Sequence, residues 1–106
     1  MSRRADAIRR AVHPLARYLR RTCPSDRPVH VRVCRCRLVY GDCERAATAY
    51  RIRVNDDQDV DSAVGTLLHE WAHALSYGLD GDEEHGAFFE AAERLVFEAY
   101  HDRDRG

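Results

Sequence analysis

Leu67-Leu68-His69-Glu70-Trp71-Ala72-His73-Ala74-Leu75 decides how this chain of 106 residues is read. Val60, Val64, Leu67, Leu68, Trp71 and Leu75 fall on one stripe at about 100° per residue, which predicts an amphipathic helix over residues 60–77. His69 and His73 fall on the opposite side of the same wheel. Two histidines four residues apart stand one turn apart on a helix, so both imidazoles can reach one metal ion. Glu70, beside the first histidine, is placed to exchange a proton with water. H-E-x-x-H on a helix is the working part of zinc hydrolases, most often peptidases. The competing reading is two solvated surface histidines. It loses weight because an apolar stripe in the core turns both histidines toward a cleft.

Outward from this helix, Asn55-Asp56-Asp57-Gln58-Asp59 reads as a turn ending in an N-cap. Gly78 reads as the C-terminal stop. Gly65, inside the helix, suggests close approach of another backbone. Residues 3–21 predict a first helix on Ile8, Val12, Leu15 and Leu19, with Pro14 kinking or splitting it. Val29 to Tyr40 reads as a strand, Gly41-Asp42 as a turn, and Ala47 to Val54 as a second strand with Tyr50, Ile52 and Val54 on one face. A last helix is expected from near His85 to about Tyr100, with Phe88, Ala92, Leu95, Val96 and Ala99 as its stripe. The tail from His101 is polar and expected to fray. The predicted class is α+β: an N-terminal helix, a small antiparallel hairpin, the motif helix and a C-terminal helix, in one domain spanning 1–106.

Charged residues make up 33% and hydrophobic ones 44%, as in an ordinary globular domain, and no apolar run is long enough to span a membrane. The N-terminus is Arg-rich without the apolar core of a secretory signal, so the expected location is cytoplasmic. Residues 1–53 hold 14 Arg against 4 acids, and residues 54–106 hold 3 Arg against 14 acids. A basic half of this kind can face nucleic acid, or the two halves can neutralise each other within the fold. Cys23, Cys34, Cys36 and Cys43 read as free, partly buried thiols. Cys34-x-Cys36 departs from the usual zinc-knuckle spacing, leaving a second zinc and a disulfide as the minor alternatives.

A catalytic zinc usually takes three protein ligands. The candidates for the third are His85, an acid in the loop 80–84, Glu90, Glu93 or a cysteine. With Phe88 as the centre of the last helix's stripe, His85 lies about 60° away, Glu90 about 160° and Glu93 about 140°. His85 then faces the body of the domain, and both glutamates are disfavoured.

His69-Glu70-Trp71-Ala72-His73-Ala74-Leu75, an acidic glycine-containing loop, and His85-Gly86-Ala87-Phe88-Phe89 together resemble the SprT-like zinc metallopeptidases. Their pattern is H-E-x-x-H, a variable loop, then H-G-x-x-F. Tyr50-Arg51-Ile52-Arg53-Val54-Asn55 also looks like the strand preceding the motif helix in that family. The resemblance covers about residues 46–100, and the remainder only by order of elements. It implies a zincin-like fold and one catalytic Zn2+ on His69, His73 and His85. It also implies Glu70 as catalytic acid and base, and a protein or peptide substrate. Many members carry a cysteine-rich zinc ribbon after the core. No cysteine follows Cys43 here, so a minimal catalytic core without the ribbon is expected.

Zinc on three neutral imidazoles keeps its full charge, which makes water more acidic. Glu70 would take the proton and return it to the leaving amine. Tyr77, Tyr50, His101 and Arg94 are open candidates for stabilising the oxyanion. Two further readings share the histidines: a non-catalytic zinc-stabilised interaction domain and a three-histidine metal-dependent endoribonuclease. Retention of Glu70 counts against the first. That same glutamate, where those nucleases carry glycine, counts against the second. Peptide deformylase is weaker still, since its glycine- and leucine-rich context is missing around Cys43.

Overall fold

The computed structural model describes residues 3–37 and 39–104. The elements run α1 (Arg3–Thr22), β1 (Val29–Cys34), β2 (Gly41–Arg45), β3 (Tyr50–Asn55), α2 (Val60–Ser76) and α3 (Ala87–Asp104). The class is α+β, as the patterns predict. Along α1, Ile8, Val12, Leu15 and Leu19 are buried and the helix is continuous through Pro14. Proline there deprives the Arg10 carbonyl of its helical donor. Arg10 lies on the exposed side, where water can replace that donor, and α1 is not split.

The sheet corrects the expected antiparallel hairpin. It has three strands in the order β1-β3-β2, with β1 parallel and β2 antiparallel to β3. A hairpin exists between β2 and β3, turning at an Ala46 N–H to Ala49 carbonyl bond of 2.8 Å. Gly41-Asp42, expected as a turn, begins β2. Glycine serves there because a Cβ would stand 2.5 Å from Thr66 Cγ2 and 2.6 Å from the Arg53 carbonyl oxygen. The strand expected over Val29 to Tyr40 stops at Cys34, and its Leu38 lies outside the described residues.

Alternation along the strands decides what the sheet covers. Val29, Val33, Tyr50, Ile52 and Val54 face inward, while His30, Arg32, Arg51 and Arg53 face solvent. The inner face packs with α1 and α2 into one cluster that includes Leu67, Leu68, Trp71 and Val96. Trp71 is fully buried, and its indole N–H donates to the Cys23 carbonyl at 2.9 Å, tying α2 to the end of α1. Asp59 caps α2 by accepting from the Ser62 N–H at 2.7 Å, and Gly78 follows the helix with φ 77°. Among the described residues, nothing lies within 4 Å of where a Cβ of Gly65 would stand, so none of their backbones approaches it closely.

The last helix differs in register from the expectation. It begins at Ala87, and its buried residues are Phe89, Ala92 and Val96. Phe88 is 55% exposed and Leu95 51%, against 3% for Phe89. The start is set by Asp80, whose two carboxylate oxygens accept from the Phe88 and Phe89 N–H groups at 2.9 Å each. The tail expected to fray is helical through Asp104, and residues 105–106 lie outside the described ones.

Candidate metal centre

The motif helix divides its residues between two tasks. Leu67, Leu68, Trp71 and Ala74 enter the main core, and Ala72 packs with Phe89 and Ala92 of α3. His69, Glu70 and His73 are left on the side that faces β2 and the turn between α2 and α3. His85 arrives from that turn, two residues before α3 begins. His69 and His73 are half-buried and His85 is exposed, and one donor atom from each lies within 4.8 Å of the others. His73 Nε2 and His85 Nε2 are 3.3 Å apart. Two nitrogens bound tetrahedrally to one zinc stand about 3.3 Å apart, from bond lengths of roughly 2.0–2.1 Å. The His73–His85 spacing is that of two zinc-bound nitrogens, and the three histidines together could hold a metal ion. Among the described residues, this is the one group of three or more His, Cys, Asp or Glu side chains suited to a metal, and it contains no cysteine.

The imidazoles are steadied on their outer sides. The Phe89 ring lies against all three, with centroids 4.4 Å from His73, 4.6 Å from His85 and 5.1 Å from His69. Glu93 Oε2 is 3.2 Å from His69 Nδ1. A proton on that Nδ1 donates to the carboxylate and leaves the Nε2 lone pair free, which is how carboxylates orient metal-binding histidines. The wheel centred on Phe88 disfavoured Glu93. Centred on the residue that is in fact buried, Phe89, it places Glu93 only about 40° off the site-facing direction. Sequence reasoning thus missed the group holding His69. The signal lay in the Phe89–Glu93 spacing of four, obscured by an adjacent phenylalanine that fits the same pattern.

Burial first, then neighbouring His69 and His85, pushes the His73 imidazole below its ordinary pKa, which favours the neutral form that can bind a metal. Burial also pushes the Glu70 carboxyl up, opposed by His69 and assisted by Asp42. Glu70 is 9% exposed and lines the cleft. Cys43, on the inner face of β2, is pushed up to about 12 by burial first and by Glu70 and Asp42 after it, so it stands there as a neutral thiol.

Gly86 explains how His85 is aimed. A Cβ at Gly86 would meet the Asp80 carboxyl carbon at 2.6 Å and its oxygen at 2.7 Å. Only glycine lets Asp80 reach the start of α3, and that contact fixes the turn carrying His85. Of the four oxyanion candidates, Tyr77 lines the cleft, with Arg45 stacked over its ring at 5.5 Å. The Tyr50 hydroxyl donates to Asp26 at 2.9 Å instead. Arg94 lines a separate hollow with Glu90, Glu93 and Phe97. His101, exposed near the end of α3, contacts Tyr100.

Two open cavities meet at the centre. One, of about 680 Å³, is lined by Asp42, Cys43, His73, Tyr77 and the turn through His85. The other, of about 550 Å³, is lined by Tyr40, Ser62, Gly65 and Thr66. Both share Val39, Gly41, His69 and Glu70. The rim is acidic. Asp82, Glu83 and Glu84 are exposed on it, whereas Asp42 is paired with Arg53 and Asp80 is held by α3. A further hollow of about 530 Å³, around Arg20, Arg27, His30 and Trp71, contains none of the three histidines. No family model, curated protein or solved structure matches this chain.

Proposed function

We propose that this protein is a zinc-dependent peptidase of the SprT-like kind, hydrolysing peptide bonds in protein segments with Glu70 as general base. One observation carries the reading. Three imidazoles converge on one point, while Glu70, largely buried, lines the same cleft beside His69. A purely structural site has no use for such a base beside its ligands.

Zinc held by His69, His73 and His85 would supply Lewis acidity, polarising a carbonyl and bringing water toward ionisation near neutral pH. The chain's own residues do the rest. Glu93 holds the His69 ring so that its Nε2 faces inward. Glu70, raised by burial, takes a proton from the attacking water and returns it to the departing amine. The paired cavities on either side of Glu70 suit an extended chain passing through better than a small molecule seated in one pocket. Exposed carboxylates on the rim favour cationic segments over anionic ones. A nucleic-acid contact has its best candidate in the exposed stripe Arg3, Arg10, Arg17 and Arg21 of α1.

The test is cleavage of an unfolded protein by the zinc-loaded wild type and by Glu70→Gln. The variant should keep its zinc and lose about 10²–10⁴-fold in rate, the usual worth of a general base. Equal cleavage by the two proteins would remove Glu70 from the mechanism.

A further inference from the structure

Cys34 and Cys36 play no part in the metal centre, yet the fold brings their sulfurs together. In an extended strand, side chains two residues apart point the same way but stand roughly 6.5–7 Å apart. The chain leaves β1 at Cys34, and the two sulfurs lie 3.7 Å from each other. The Cys36 thiol also reaches the Cys34 carbonyl at 3.8 Å. Cys34 is half-buried and reachable, whereas Cys36 is buried. Burial, then the neighbouring Cys34, pushes the Cys36 thiol up. One sulfur is thus open to a reagent, and the other waits behind it. The other two cysteines have different surroundings. Cys23 is buried beside Thr22, and Cys43 faces Glu70.

We propose that Cys34 and Cys36 form a redox-active dithiol that hydrogen peroxide closes to an intramolecular disulfide. Cys34 sulfur, as thiolate, attacks one peroxide oxygen. The O–O bond breaks, leaving a sulfenic acid on Cys34, and the departing hydroxide takes a proton to become water. Cys36 sulfur then attacks Cys34 sulfur, forming the S–S bond and breaking the S–O bond, and a second water leaves. Two thiols and one peroxide give one disulfide and two waters. The sulfur pair gives up two electrons and peroxide accepts them.

Closure reaches the cleft through Asn55. The side chain of Asn55 holds Cys36 from both directions, its amide N–H donating to the Cys36 carbonyl and its oxygen accepting from the Cys36 N–H at 3.3 Å. The same amide donates to the Val39 carbonyl at 2.8 Å. Gln58 donates to the Tyr40 carbonyl at 2.9 Å, and its oxygen accepts from Ser62 and Thr66 of α2. An S–S bond of about 2.05 Å requires the sulfurs to approach by more than an ångström. Cys34 is tied into β1, and its carbonyl accepts from the Asp56 N–H at 3.0 Å, so Cys36 must do most of the moving. That pulls on Asn55, and through it on the Val39 wall shared by both cavities. This second step, the effect on turnover, rests on the peptidase reading. The disulfide does not.

Arg35 between the two cysteines makes the test direct, because trypsin cuts after it. Wild type is treated with hydrogen peroxide, its remaining thiols are blocked, and the digest is weighed by mass spectrometry. Cys34 and Cys36 peptides should stay joined and separate on reduction, while C36S should instead carry a dimedone-trapped sulfenic acid on Cys34. Peptides that run separately after peroxide, or a first disulfide involving Cys23 or Cys43, would overturn the proposal. Peptide hydrolysis by the oxidised protein should change several-fold and recover on reduction, with C34S insensitive. An unchanged rate in the oxidised protein refutes the coupling to the cleft. A protein that forms the disulfide but cleaves nothing in either state fails the peptidase reading alone.

Discussion

His69 and His73 are placed by one kind of structure and His85 by another. The first two stand on regular helix, one turn apart, and their helix is anchored by Trp71 in the core. His85 sits on an irregular turn whose path depends on a carboxylate, Asp80, reaching across to cap α3, and on a glycine that leaves room for it. A helix needs only its periodicity to set two histidines at the spacing that metal ligands need. A turn needs specific polar contacts, and each can fail separately. The histidine cluster is therefore rigid on its helical side and can be taken apart on its turn side without unfolding the protein.

Trp71→Ala should break the helical half hardest. Removing a fully buried indole and its bond to Cys23 should cost about 3–5 kcal/mol of stability in denaturant unfolding. A loss under about 1 kcal/mol would mean that α2 does not depend on this anchor. Asp80→Ala should act on the other half. It removes an acceptor from two N–H groups at the start of α3, worth about 0.5–2 kcal/mol. The His85 ring signals should move in NMR spectra while those of the α2 core stay in place. If His69 and His73 moved as much as His85, the two halves would not be separable.

Much of this division is visible in the amino-acid pattern, and the exceptions have physical causes. The apolar stripe of α2 places His69 and His73 opposite the core because helical periodicity is strict over its length, and it leaves Glu70 on the flank between them and the core. β2 escapes such reasoning. Gly-Asp-Cys-Glu-Arg has neither alternating hydrophobicity nor β-branched residues, and it pairs along one edge only. Its strand identity comes from β3 and from the close approach at Gly41, both of them tertiary. Adjacent Phe88 and Phe89 each complete a helical stripe, so periodicity cannot choose between them. Asp80 chooses, by fixing where α3 starts, and with that choice Glu93 turns toward His69. Asp80 itself looks like any acid in a polar loop until its distant backbone partners are known.

Gly65 offers the smallest and sharpest comparison. The position is helical and a Cβ meets none of the described residues, so Gly65→Ala should stabilise α2 by about 0.4–1 kcal/mol, read as a raised unfolding midpoint. A destabilised variant would mean that the helix side facing the cleft is less open than the structure has it.

Native mass spectrometry of the zinc-loaded protein, comparing wild type with His85→Ala, asks whether the three histidines hold one ion. Wild type should carry one zinc. The variant should carry a much weaker or absent ion, and its secondary structure by circular dichroism should match wild type because His85 lies between α2 and α3, outside both helices. Zinc held equally well without His85, or not held by wild type at all, would contradict the three-histidine centre on which the functional reading stands.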